Sequence, residues 1–422
     1  MFKALEKLKP QEWKPLNTGI YFREMFKKHL TRQQKLLEKK RPVGWFWSFH
    51  PAELSYVFDI INIFPEQYSA YCAAKGLSMP LIDSFVEKGY AGFLCDYFKC
   101  SVGSIFNPED APLKGHCGLK PSFVLDSRML CYGHHTMSEV FSEIYGIPRY
   151  VLDAPYWVKD KVKNIDELTK IPEKVDEYYL DFVIQQIKDY VGFLEKLTGE
   201  KMDEEKFKNV FKISEETSKN LLRIAELMFS KPTPGSQIDV GDYVMVGFFL
   251  HGADYALEFV KKSREVIEDK VKRKMGVVAD EKLRLITHGI MPWHALPLYK
   301  YYEELGITFP VNPYLQASMC LVEASKPFES MARRCLNGAN CEIEIWGESM
   351  LRNVKKADVD GAIMFENTGC RVIAMGLRVL KDILYEELGI PSLIIEGPQC
   401  DPRGMPFERA KTQIDAFIES LL

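Results

Sequence analysis

The chain has 422 residues, more than one ordinary hydrophobic core holds, so two or three domains are expected. Apolar residues make up 46% and charged residues 27%, a globular composition that excludes a disordered chain. With 55 basic and 59 acidic residues the net charge is -4, which leaves no electrostatic footprint for nucleic acid or an anionic membrane.

Residues 1–40 read as charged N-terminal helices, ending in LTRQQKLLEKKRP. The start alternates apolar and charged residues and lacks the apolar core of a signal peptide. No uncharged apolar run approaches the length of a membrane span. The expectation is a soluble cytoplasmic protein whose ten cysteines are mostly reduced thiols. No CxxC pair points to a zinc ribbon or a thioredoxin-like site.

Residues 41–160 alternate strand and helix signals and read as a first α/β domain. PVGWFWSF is short, apolar and β-prone, and HPAELSYVFDIINIFPE carries helical apolar spacing. GYAGFLC, PSFVLD and IPRYVLDAP read as buried strands. Residues 161–239 read as a helical segment. Ile184, Ile187, Val191, Leu194 and Leu197 recur at helical spacing, Gly199 is a stop signal, and Asp203 is a candidate N-cap. KPTPGS at 231–236 is a linker-like break.

Residues 240–422 return to α/β signals as a second domain. KLRLITHGI reads as strand and turn, and VDGAIMF as a strand. ENTGC is a loop before a long helix, IPSLIIEG the next strand, and AKTQIDAFIESLL a closing helix. The expected fold class is α/β: two Rossmann-like parallel-sheet domains with helices on both faces, plus N-terminal and central helical segments.

Three cysteines end apolar, strand-like runs: Cys95 in GYAGFLC, Cys131 after PSFVLD, and Cys370 after VDGAIMF. In open parallel sheets ligands collect outside the carboxyl ends of strands, and iron–sulfur clusters are held by cysteine thiolates. Cys370 also opens a long helix, whose N-terminal amides favour an anion. Plain core packing competes at each position, because cysteine packs well. Cys95 and Cys100 form a CxxxxC pair, but no third cysteine follows two residues later, so plant-type ferredoxin spacing fails.

Ser48, Glu53 and Glu66 lie close together in sequence. A carboxylate at the end of an apolar stretch can act as a base when burial tunes it. Glu53 is equally an ordinary first-turn acid after Pro51. His134 and His135 are adjacent and poor co-ligands. His50 and His294 are open as substrate contacts, as is Cys100. Trp45, Phe46, Trp47 and Phe49 read as core. The chain has neither GxGxxG nor GxxxxGK[ST], so neither a nicotinamide dinucleotide nor Walker-bound ATP is expected.

From about residue 40 to the C-terminus, the ordered segments Pro51-Ala52-Glu53, FPEQYSA, Lys88 to Tyr97, the strand and cysteine at 123–131, IPRYVLDAP, VDGAIMFENTGCR and GIPSLIIEGPQCDPR form a pattern. This pattern resembles the catalytic D-component subunits of 2-hydroxyacyl-CoA dehydratases and the related benzoyl-CoA reductases, in the branch of the larger subunits.

The resemblance implies one 4Fe–4S cluster with Cys95, Cys131 and Cys370 as ligands and one open iron site for water, hydroxide or substrate oxygen. Ser48 matches a serine that hydrogen-bonds the non-cysteine ligand. Glu66 matches a carboxylate proposed to move the C3 proton. The implied reaction is reversible elimination of water from a 2-hydroxyacyl-CoA to the 2-enoyl-CoA through a ketyl radical. The implied partners are a homologous smaller iron–sulfur subunit, completing a heterodimer, and a separate ATP-hydrolysing iron–sulfur activator. The alternatives are an ATP-dependent benzoyl-CoA (aryl-CoA) reductase subunit and a non-catalytic iron–sulfur electron-transfer subunit. The chain departs from the pattern at Cys100, in the wording WFWSFH, and at Glu396, where aspartate is more usual.

Overall fold

The computed structural model of the protein describes residues 3–112, 119–155, 177–336 and 343–422. Cys117 and Cys341 lie outside these residues. Helix α1 (Gly19–Glu38) precedes a first α/β run. That run is β1 (Val43–Trp45), α2 (Ala52–Val57), β2 (Ile61–Ile63), α3 (Pro65–Ala74), α4 (Ser78–Glu87), α5 (Asp96–Phe106), β3 (Phe123–Ser127), α6 (Tyr132–Tyr145) and β4 (Arg149–Leu152). Its strands pair in parallel in the order β2-β1-β3-β4.

Four helices follow: α7 (Glu177–Thr198), α8 (Glu204–Met228), α9 (Val240–Phe249) and α10 (Asp254–Lys272). The second α/β run is β5 (Leu283–His288), α11 (Leu296–Glu304), β6 (Ile307–Val311), α12 (Pro313–Ala317), α13 (Pro327–Leu336), α14 (Ile343–Ala357), β7 (Gly361–Asn367), α15 (Arg371–Leu388), β8 (Ser392–Gly397) and α16 (Phe407–Leu421). Its strands are also parallel, in the order β6-β5-β7-β8. The two Rossmann-like sheets expected from the sequence are therefore present.

Strand periodicity explains why helices cover both faces. In β3, Phe123 and Leu125 face one core while Val124 faces another. The first of these cores also takes Val183, Ile187, Tyr190 and Leu194 of α7 and Phe259 of α10, so the central helices share a core with the first sheet. In the second sheet, Leu285, Ile363 and Phe365 pack with α11 and α16. Ile286, Ala362 and Met364 pack with α14 and α15.

Each sheet reverses its strand order once. The first does so between β1 and β3, and the second between β5 and β7. Such switch points leave a crevice at the carboxyl ends of the strands. The loops at these crevices carry Ser48 after β1, Cys131 after β3 and Cys370 after β7.

The local signals at Gly199 and Asp203 hold. Gly199 has φ +72°, and the Asp203 carboxylate accepts the Lys206 amide at 3.0 Å. Two readings are corrected, and one strand was not foreseen. GYAGFLC is not a strand: residues 91–94 turn, and Cys95 is the N-cap of α5. Glycines 89 and 92 weaken a strand there, and Gly89 has φ +89°. The helical reading of 50–66 hides a strand. Helix α2 stops at Val57, Asp59 turns with φ +51°, and Ile61–Ile63 pairs with β1. Strand β6 (ITFPV) has no counterpart in the sequence reading. Its Pro310 cannot donate to a ladder, and β6 lies at the sheet edge, where proline is tolerated.

Candidate active site

Three helices start at the site, and each starts with a cysteine. Cys95 is the N-cap of α5, Cys131 of α6 and Cys370 of α15. The Tyr97 amide faces the Cys95 sulfur. The amides of Gly133 and His134 face Cys131, and those of Val372 and Ile373 face Cys370. None of the thiols closes a cap hydrogen bond to its own helix. The aligned amides nonetheless present partial positive charge to each sulfur.

Cys95 comes from the turn between α4 and α5, not from a strand end. Close backbone contact brings it to Cys370. Gly369 has φ +83°, and a Cβ there would lie 2.8 Å from the Leu94 carbonyl oxygen and 3.1 Å from the Cys95 nitrogen. Glycine is required at this crossing.

The three sulfurs sense one another. Burial pushes the Cys95 thiol well above its ordinary value, and Cys370 and Cys131 push it further. Burial and then Cys370 raise Cys131 to about 12. Burial also raises Cys370, against the pull of its helix amides. As bare thiols the three therefore stay protonated. A bound cation reverses that balance and takes them as thiolates. Among the described residues no group of three or more His, Cys, Asp or Glu is set to hold a single metal ion. Three thiols set together in this way are residues that would hold an iron–sulfur group through thiolate sulfur.

Glu66 stands beside the thiols, in the first turn of α3, and acts electrostatically on Cys131 and Cys370. Its Oε2 accepts the Ser48 amide at 2.8 Å, and its Oε1 pairs with His134 Nε2 at 2.9 Å. Burial pushes this carboxyl up, but His134 and the Ser48 amide outweigh burial and hold it below its usual range. The Ser48 hydroxyl is buried against the Glu66 carboxyl, and His134 Nδ1 is buried without a hydrogen-bond partner. A buried polar atom left this way marks a place where another molecule or water completes the bonding.

The His134 ring stacks on Trp47, centroids 5.0 Å apart, and Trp47 Nε1 donates to Ser138 Oγ at 2.8 Å. On another side, Trp293 Nε1 donates to the Tyr97 hydroxyl at 2.7 Å, and Tyr97 pairs with Tyr314. Gln399 donates to the Cys95 sulfur at 3.1 Å.

The remaining candidates have other surroundings. His50 is fully buried, its Nδ1 donating to the Trp47 carbonyl at 2.8 Å. Burial and then Arg334 lower its pKa to about 3. Cys100 is fully buried with Cys72 and Cys400, behind the site. His294, half-buried in the 3-10 turn Trp293–Ala295 after β5, lies against the backbone of Met405 and Gln399 and near Asp96. Glu53, read as a first-turn acid, is fully buried. It binds Arg334 in a two-pronged ion pair and accepts Ser214 Oγ at 2.6 Å.

A model of the family described as 2-hydroxyglutaryl-CoA dehydratase, D-component, matches residues 47–421. The chain belongs to this family. It is 26% identical over 417 residues to the (R)-phenyllactyl-CoA dehydratase alpha subunit of Clostridium sporogenes, covering 98% of this chain and 97% of that one. It is 26% identical over 388 residues to the (R)-2-hydroxyisocaproyl-CoA dehydratase alpha subunit of Clostridioides difficile, with 91% of each chain covered. It is 22% identical over 384 residues to a benzoyl-CoA reductase subunit of Thauera aromatica, covering 87% of this chain and 85% of that one.

In this dehydratase-family chain, sequence reasoning dismissed His134 as a co-ligand and gave no role to Tyr97, Trp293 or Gln399. His134 carried a signal, since it follows Cys131 by one helical turn and so faces the same side. Gln399 and Trp293 carried none, because their partners are far away in sequence.

Proposed function

We propose that this protein is the iron–sulfur subunit of a 2-hydroxyacyl-CoA dehydratase, eliminating water from a 2-hydroxyacyl-CoA to give the 2-enoyl-CoA. The observation that carries this reading is the meeting of three helix-capping thiols with a buried Glu66–Ser48 pair. When bound, a 4Fe–4S cluster held by Cys95, Cys131 and Cys370 supplies a low-potential electron and a Lewis-acidic iron.

The chain's own residues do the rest. The helix amides facing each sulfur stabilise the thiolates. The Ser48 hydroxyl, buried beside the Glu66 carboxyl, can donate to an oxygen on the substrate. The Glu66 carboxyl, held ionised by its neighbours, can accept a proton from C3. The buried aromatic wall of Trp47, Phe98 and Tyr97 keeps water from the reacting atoms. A non-catalytic electron carrier has no use for the Glu66–Ser48 pair.

A second subunit and a separate ATP-hydrolysing iron–sulfur activator are part of the proposal. The alpha-subunit names of the relatives support the former. A cytoplasmic location is proposed too, and no helix among the described residues is long and apolar enough to cross a membrane.

Anaerobically purified protein should carry about four iron and four sulfide per chain. Cys95→Ala, Cys131→Ala and Cys370→Ala should each lose them, while Cys100→Ala keeps them. Glu66→Gln should keep the cluster and lose turnover by about 100-fold or more. A metal-free or zinc-loaded chain would refute the site, and unchanged turnover in Glu66→Gln would remove that residue from the reaction. The similarity to the benzoyl-CoA reductase chain favours an aryl-CoA reductase as the second reading. Many turnovers per activating electron indicate the dehydratase. Two electrons consumed per product indicate the reductase.

A further inference from the structure

Gln399 lies in the loop between β8 and α16 and is fully buried. Its side-chain amide donates to the Cys95 sulfur at 3.1 Å. The loop around it is fixed from two sides. The Gln399 carbonyl accepts the Trp293 amide at 3.0 Å. The next two amides, of Cys400 and Asp401, donate to Asp96 Oδ2 at 2.9 and 3.0 Å. Asp96 directly follows Cys95, is itself fully buried, and pairs with Lys99 at 2.6 Å. The second half of the chain is thus pinned to the helix that Cys95 caps.

Cys131 and Cys370 each face two successive amides of their own helix. At Cys95 the Tyr97 amide faces the sulfur; the Phe98 amide is bonded to the Cys95 carbonyl at 2.9 Å, as the His134 amide is to the Cys131 carbonyl at 3.2 Å. Gln399 adds a donor from outside the helix.

We infer that Gln399 is a positioning residue that raises the reduction potential of the centre held by Cys95, through its N–H···S bond to that sulfur. The inference rests on the reading of Cys95 as a cluster ligand. Reduction adds negative charge to the sulfurs, and a donor aimed at one of them stabilises the reduced form more than the oxidised form. The backbone of the loop that carries the amide is fixed before the cluster binds, so little freedom is lost in making the bond.

The test uses the anaerobically purified full-length holoprotein and its Gln399→Leu and Gln399→Met variants. Leucine and methionine are close to glutamine in size but have no donor. Iron and sulfide content, midpoint potential by redox titration, and iron–thiolate stretching frequencies by resonance Raman spectroscopy are read on each. The expected result is wild-type cluster content, a more negative midpoint in both variants, and a shifted iron–thiolate band. Gln399→Glu should fall lower still, because an ionised carboxylate adds negative charge beside the sulfur. Cluster-loaded variants with the wild-type midpoint and bands would overturn the inference. So would loss of the cluster from both Leu and Met variants that still show native circular dichroism, since Gln399 would then serve assembly and not tuning. Wild-type protein devoid of iron and sulfide would instead sink the cluster reading itself.

Discussion

Two glutamates of the first half are buried, and their partners separate their roles. Glu53 is saturated by Arg334 and Ser214. Burial pushes its carboxyl up, but the Arg334 guanidinium outweighs burial and brings the pKa from 4.5 to about 2. Its place in the first turn of α2 was readable from Pro51. Its partner, 281 residues away, was not, because no local spacing encodes a contact of that range.

Arg334→Met leaves Glu53 buried without its cation and should cost roughly 3–5 kcal/mol in urea unfolding of the metal-free chain. The pH dependence has a fixed sign. A lowered folded pKa means that the ionised pair contributes full stability above about pH 4.5 and loses it as pH falls toward 2. Glu53→Gln should therefore flatten the acid limb of the stability profile between those values. An acid limb as steep as wild type would show that Glu53 does not contribute to it. Glu66 has different surroundings, beside the buried Ser48 hydroxyl and a His134 whose Nδ1 is unpartnered, as suits a group that meets another molecule.

At the scale of elements, the site depends on where helices start. Helix α5 packs so closely on α4 that a Cβ at Gly103 would lie 1.8 Å from the Leu81 carbonyl oxygen. Gly103→Ala must push α5 away, and the N-terminus of α5 holds Cys95. The substitution should destabilise the fold by roughly 1–3 kcal/mol and lower the iron content at full expression. Differential scanning calorimetry and iron analysis on the same sample read both effects, and an unchanged melting temperature would contradict the packing argument.

Long elements with clear periodicity, such as α7 and α15, were legible because burial on one face imposes a 3.6-residue repeat. Short ones were not. Strand β2 has three residues and reads as the tail of a helix until its pairing with β1 is known. The apolar run before Cys95 reads as a strand, yet it has no ladder partner and folds as a turn.

At the scale of the whole molecule, the candidate cluster ligands are divided between the two sheets. Cys95 and Cys131 come from the first α/β run and Cys370 from the second. A centre bound by all three ties the halves together, and its binding energy adds to folding stability. Stripping iron anaerobically should lower Tm by several degrees, at roughly 2–4 °C per kcal/mol. The same treatment should leave the Tm of Cys370→Ala unchanged. Equal Tm values for stripped and loaded wild-type protein would contradict a ligand set shared by the halves.

The sequence by itself determined the two parallel sheets, the helices between them, and which cysteines follow apolar runs near helix starts. These are local matters of periodicity, caps and breakers. The tertiary structure alone decided that Glu66 is joined to Ser48 and His134, that Glu53 is a buried brace, and that Gln399 reaches Cys95. Those pairings join residues from separate elements. They are fixed by the strand order of two sheets and by the close backbone crossing at Gly369, which no spacing along the chain records.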